Sequence, residues 1–92
     1  MDLKDIANRE NTTIVDVRES FETLFGKVED SVNIPLRKIS TKIEDFRQMS
    51  QPIIVYCRSG NRSESAMKLL KALGIKEVYN GGSISDVKAL LK

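Results

Sequence analysis

The chain has 92 residues, 40% hydrophobic and 30% charged, with 15 basic against 13 acidic side chains and a net charge of +2. That length holds one domain, residues 1–92, with a lean core, and so slight a charge excess points to neither nucleic acid nor an anionic membrane as a partner. With no His and a single Cys, one chain can form no His/Cys zinc site, no Ser-His or Cys-His pair and no internal disulfide. Acid–base chemistry falls to Asp, Glu, Lys, Tyr or Cys.

The start, Met1-Asp2-Leu3-Lys4-Asp5-Ile6, mixes charge with apolar residues and lacks the continuous apolar run of a secretory signal. The longest apolar run, residues 53–57, is far too short to span a bilayer. The expectation is a cytoplasmic monomer with a reduced thiol.

In chain order, Asp2 caps a short helix with Leu3, Ile6 and Ala7 on one side. A polar loop follows at residues 8–11, then a β-branched strand, Thr13-Ile14-Val15-Asp16-Val17. Ser20 is placed to cap a short helix carrying Phe21, Leu24 and Phe25, with Gly26 as its stop. Residues 31–35 read as a brief strand halted by Pro35. Leu36, Ile39, Ile43 and Phe46 have the spacing of one helix. Residues 53–56 are the most hydrophobic strand and the expected centre of the sheet. A helix is expected over residues 63–73, with Ala66, Leu69, Leu70 and Leu73 on one face and Gly74 at its end. Residues 77–79 form a short strand and Gly81-Gly82 a turn. Ser83 or Ser85 caps a last helix with Ile84, Val87, Leu90 and Leu91 inward.

Alternating helices and strands predict an α/β class: a parallel sheet with helices on both faces, in three layers. In such folds ligands sit beyond the carboxyl ends of strands where the strand order reverses. That singles out the positions after Val17, Ile34 and Tyr56.

Chemistry concentrates after Tyr56, in Cys57-Arg58-Ser59-Gly60-Asn61-Arg62-Ser63. A loop closing onto a helix N-terminus gathers backbone N–H groups around one point and favours negative charge there. If Arg58 and Arg62 point inward they add to that field, and the thiol ionises more readily. Gly60 permits the tight turn, and Ser59, Asn61 and Ser63 leave room for an anion. A Cys ending a buried strand also serves as a small hydrophobe, but two Arg and a Gly behind it add nothing to packing. Asp16 and Arg18 end the neighbouring strand. They are expected to hold the loop in shape rather than to draw in substrate.

The loop resembles the active-site loop of the rhodanese (thiosulfate sulfurtransferase) superfamily, in particular its small single-domain members. Three further segments resemble that family in the same order: Asp16-Val17-Arg18-Glu19; Gly26-Lys27-Val28 followed by Ser31-Val32-Asn33-Ile34-Pro35-Leu36; and Val78-Tyr79-Asn80-Gly81-Gly82. Lys27 stands where the family usually has His, and Ser83-Ile84-Ser85 where it usually has Trp. Only Met1 precedes Asp2, so the family's first edge strand is expected to be vestigial or absent and the sheet to have four to five strands.

The resemblance implies that Cys57 attacks the outer sulfur of thiosulfate or another donor, carries it as a persulfide, and passes it to a thiol or cyanide. Arg58, Ser59, Gly60, Asn61, Arg62 and Ser63 would surround the substrate, with Asp16 and Arg18 in support. No metal or organic cofactor is implied. A sulfur-carrier or persulfide-donor protein is the further partner it suggests. Two alternatives come with it. Phosphatases and arsenate reductases related in fold place five residues between Cys and Arg, but residue 63 is Ser and Arg62 comes one position early. Inactive rhodanese-like binding modules commonly lack the Cys, which this chain keeps.

Overall fold

The computed structural model describes residues 2–92. The most buried segment organises it. Strand β3 (Ile53–Cys57) has five buried residues in a row, and an unbroken apolar run is stable as a strand only when both sheet faces are covered. It lies between β1 (Thr13–Asp16) and β4 (Val78–Ser83), with β2 (Val32–Asn33) on the far side of β1. The order is β2-β1-β3-β4 and every pair is parallel.

Side chains alternate across a strand, so β3 feeds two cores. Ile53, Val55 and Cys57 pack with Val15, Phe46, Ala66 and Leu70 on the face covered by α2 (Ile43–Gln48) and α3 (Asn61–Ala72). Ile54 and Tyr56 face the other way. Ile54 meets Ile6 and Ala7 of α1 (Leu3–Ala7), and Tyr56 meets Val28 and Val87, the latter on α4 (Ile84–Leu90). The three-layer α/β/α arrangement is therefore present. Among the described residues the sheet has four strands. The first edge strand, expected to be vestigial or absent ahead of Asp2, lies outside those residues.

Several elements differ from the sequence reading. The turn Ser20–Phe25 is a 3₁₀ helix capped by Glu19, not Ser20: the Glu22 side chain bonds back to the Glu19 amide. Residues 36–46 form no single helix. Two 3₁₀ turns, Leu36–Lys38 and Ser40–Lys42, precede α2, and they keep Ile39 and Phe46 inward at much the same spacing. The strand expected over 31–35 shortens to two residues. Helix α3 begins at Asn61 rather than Ser63, entered from Gly60 at φ 98°. Gly81-Gly82 forms no turn: both residues lie within β4. Val55 pairs with Asn80 and Tyr56 with Gly82, which leaves Gly81 as an extra bulge residue. A Cβ on Gly81 would lie 2.7 Å from both Ile54 Cγ2 and Val87 Cγ2. The missing side chain lets α4 close on the sheet.

Candidate active site

The sheet order reverses between β1 and β3, and the carboxyl ends of those two strands meet at one crevice. Cys57 ends β3 with its side chain on the α3 face and no solvent exposure. The loop after it turns back over the sulfur. The Gly60 amide donates to Cys57 Sγ at 3.0 Å and the Ser63 amide at 3.4 Å, with the Ser63 hydroxyl at 3.4 Å. Gly60 needs its positive φ to aim that amide inward. Burial pushes the Cys57 thiol up. The Ser63 hydroxyl and the amides of Ser63, Ser59 and Gly60 outweigh it and bring the thiol below its ordinary range.

The cradle is tied to β4 by a residue the sequence reading passed over. Asn80 lies on the α3 face of β4, two residues from Val78. Its Oδ1 accepts the Ser63 hydroxyl at 2.6 Å and the Gly82 amide at 2.9 Å. Its Nδ2 donates to the Gly60 carbonyl and to Glu64 Oε1, each at 3.1 Å. Every donor and acceptor of this amide is thus spent on the loop and the first turn of α3.

The arginines do not both point inward. Arg62 turns to Glu22, with Nη1 to Oε2 at 2.7 Å and Nη2 to Oε1 at 2.9 Å. This bidentate pair holds the Glu22 carboxyl down at about 2 and raises Arg62 further above its ordinary value. The expectation that Arg62 offers a bare charge to the thiol is corrected accordingly: the lowering of Cys57 comes chiefly from hydrogen bonds. Arg58, Ser59 and Asn61 are exposed around the loop. Among the described residues no carboxylate pairs with Arg58.

Asp16 and Arg18 bind each other. Both are buried, and Arg18 Nε and Nη2 reach the Asp16 carboxylate, the closest contact being 2.6 Å. Arg18 also donates to the Glu22 and Gly26 carbonyls, and so fastens the 3₁₀ helix beside the loop. Tyr56, given no role from sequence, accepts the Val28 amide at 3.0 Å and meets Ser31 Oγ at 2.9 Å. An open cleft of about 560 Å³ lies alongside, lined by Arg18, Phe21, Glu22, Phe25, Arg58 and Ile84. A second cleft, about 460 Å³ between Val32, Pro35 and Lys42, includes none of the expected site residues. No group of three or more His, Cys, Asp or Glu side chains among the described residues could hold a metal ion.

The roles of Glu22 and Asn80 at the loop are not legible in the sequence because Arg62 and Ser63, which they hold, are 40 and 17 residues away. Nothing in local periodicity reports such pairings.

A mitochondrial protein of Schizosaccharomyces pombe that bears a thiosulfate sulfurtransferase name is 38% identical over 82 residues, covering 76% of this chain and 58% of that protein. The tRNA uridine(34) hydroxylase of Buchnera aphidicola is 31% identical over 94 residues, covering 95% of this chain and 30% of the hydroxylase. Against these relatives the chain spans about half and about a third of the full length. The solved structure of a rhodanese-related protein from Thermoplasma volcanium superposes with a TM-score of 0.74 at 32% identity, covering 86% of this chain and 78% of that one. The family model for the rhodanese-like domain matches residues 1–89, and the chain belongs to that family.

Proposed function

We propose that this chain is a sulfurtransferase whose nucleophile is the Cys57 thiolate. The observation that carries the reading is the pair of amides, from Gly60 and Ser63, converging on Sγ. They stabilise negative charge at one atom, whether that charge is the thiolate's or the outer sulfur's after transfer. The thiolate attacks the outer sulfur of thiosulfate. A new S–S bond forms, the old one breaks, and its electron pair leaves on sulfite. Exposed Arg58, which has no ion-pair partner among the described residues, is suited to guide these anions by charge-assisted bonds. A thiolate acceptor, or cyanide, then attacks the outer sulfur and returns the electron pair to Cys57 Sγ. The hydrogen bonds from Ser63, Ser59 and Gly60 favour the thiolate, and a thiolate attacks without a general base. The steps call for no metal or organic cofactor.

Burial supports sulfur over phosphate as the group transferred. Sγ has no exposure, and a slim terminal sulfur reaches a recessed atom more readily than a tetrahedral phosphate ester does. The loop is also one residue short of the phosphatase spacing, since residue 63 is Ser.

The test is mass spectrometry of the protein after exposure to thiosulfate. The expected result is a gain of one sulfur atom on Cys57, together with ping-pong turnover of thiosulfate and cyanide. Cys57→Ser should lose both and keep its fold, because a serine hydroxyl is not ionised near neutral pH. Hydrolysis of an aryl phosphate without persulfide formation would overturn the reading.

A further inference from the structure

Short surface helices ordinarily turn their apolar side toward the core. The 3₁₀ helix Ser20–Phe25 does the reverse. Phe21, Leu24 and Phe25 are 64%, 81% and 87% exposed. Its polar groups face inward: Glu22 grips Arg62, and Arg18 donates to the Glu22 and Gly26 carbonyls. The exposed rings are therefore held out by a pinned backbone, not by a loose loop. Phe21 and Phe25 share the cleft with Ile84 and with Arg58 of the loop that covers Cys57. A contiguous apolar patch of this kind beside a reactive centre marks an interaction site, and Arg58 brings to it a positive charge with no ion-pair partner of its own among the described residues.

We propose that Phe21, Leu24, Phe25, Ile84 and Arg58 form the docking surface for a partner protein that presents its own cysteine on a projecting segment, flanked by apolar residues and a carboxylate, as the acceptor of sulfur from Cys57. The proposal rests on the sulfurtransferase reading. Cyanide or a low-molecular-weight thiol has no apolar surface to lay on three side chains. The acceptor must also project, because Sγ lies beneath the protein surface. A second copy of this chain does not meet these terms: its only Cys is buried, and two copies face to face would oppose one Arg58 to the other. A carboxylate beside the acceptor cysteine answers the charge on Arg58. In the transfer, the partner's thiolate attacks the outer sulfur of the Cys57 persulfide. A new S–S bond forms, the bond to Sγ breaks, and the electron pair stays on Sγ. The partner leaves as a persulfide, and no outside oxidant or reductant enters.

Two synthetic cysteine peptides of equal length test this. One carries leucine, phenylalanine and aspartate around the cysteine, and the other carries serine and glycine. Titrated into Cys57→Ser protein, where no sulfur chemistry intervenes, the first should bind about tenfold or more tightly than the second. Phe21→Ser with Phe25→Ser should erase that preference. In protein that retains Cys57, the same double substitution should slow sulfur transfer to the first peptide by about tenfold and leave cyanide turnover unchanged. Equal binding of the two peptides, or a preference that survives the double substitution, overturns the proposal. Self-association in sedimentation that disappears with the double substitution overturns it in favour of a second copy. Protein that shows the peptide preference but forms no persulfide retains the docking surface and sinks the sulfurtransferase reading instead.

Discussion

Glu22 sets how much of Arg62 the thiol feels. The two side chains are bound at both oxygens, so the guanidinium stands near Cys57 with its charge largely answered. Replacing Glu22 by Gln releases that charge without changing shape. The midpoint of Cys57 alkylation against pH should then fall below that of the parent, and an unchanged midpoint would show that Arg62 has no electrostatic hold on the sulfur. The pair also contributes to stability. The Glu22 carboxyl is lowered from 4.5 to about 2 by Arg62. A lowered carboxyl stabilises the fold fully above its unfolded value, and that stabilisation is lost as pH falls from about 4.5 through about 2. Thermal melts of parent and Glu22→Gln should therefore differ at pH 6, by roughly 1 kcal/mol or less for a pair that is only partly buried, and converge in acid. Melts that stay equally far apart at every pH would assign the loss to packing instead.

Strand β4 shows both how sequence positions the site and where it fails to. Asn80 reaches Ser63, Gly60, Gly82 and Glu64 at once. In Asn80→Asp both acceptor bonds survive, but the donating nitrogen becomes an oxygen that faces the Gly60 carbonyl and Glu64, and a negative charge arrives beside the thiol. The alkylation midpoint of Cys57 should rise by about one pH unit, and persulfide loading at neutral pH should slow. Ser63→Ala should raise the midpoint too, by removing the side chain through which Asn80 is tied to the loop beside Sγ. A lowered midpoint in Asn80→Asp would mean that Asn80 does not govern the charge on Cys57. The sequence reading found β3, because five apolar residues in a row have one good use in an α/β fold. It found the Cys57 loop, because charge and glycine behind a core strand are poor packing. It missed the break before α2, since Leu36, Ile39, Ile43 and Phe46 keep their spacing through two 3₁₀ turns. It placed a turn at Gly81-Gly82, because a bulge and a turn both ask for glycine and only the facing strand distinguishes them. Asn80 stands in a motif without showing its work, since Ser63, Gly60 and Glu64, which it ties together, lie on and before α3.

At the scale of the molecule, the sheet order brings the ends of β1 and β3 together, and a chain of polar contacts runs across that junction. Asp16 at the end of β1 binds Arg18. Arg18 fastens the 3₁₀ helix through Glu22 and Gly26, Glu22 holds Arg62, and Arg62 sits in the first turn of α3 above Cys57. The guanidinium of Arg18 also lies 5.9 Å from the centre of the Tyr56 ring. One buried ion pair thus joins the sheet to both the active-site loop and the proposed docking surface. Its removal is expected to cost stability and site geometry together. Arg18→Met keeps the length of the side chain and leaves Asp16, 1% exposed, with the Arg18 backbone amide and no opposite charge. Breaking a buried pair from one side costs about 3–5 kcal/mol, a large part of what a domain of this size has to spend. Denaturant unfolding should show that loss. Asp16→Leu combined with Arg18→Met should recover much of it, because the stranded charge is gone. The double variant should still load sulfur on Cys57, whose amide cradle it leaves in place. Its preference for the apolar, acidic peptide should weaken, because the 3₁₀ helix has lost two of its fastenings. Recovery of stability with the preference undiminished would show that the helix is held out by Glu22 and Arg62 alone, and that the ion pair at the end of β1 serves the fold without serving the surface.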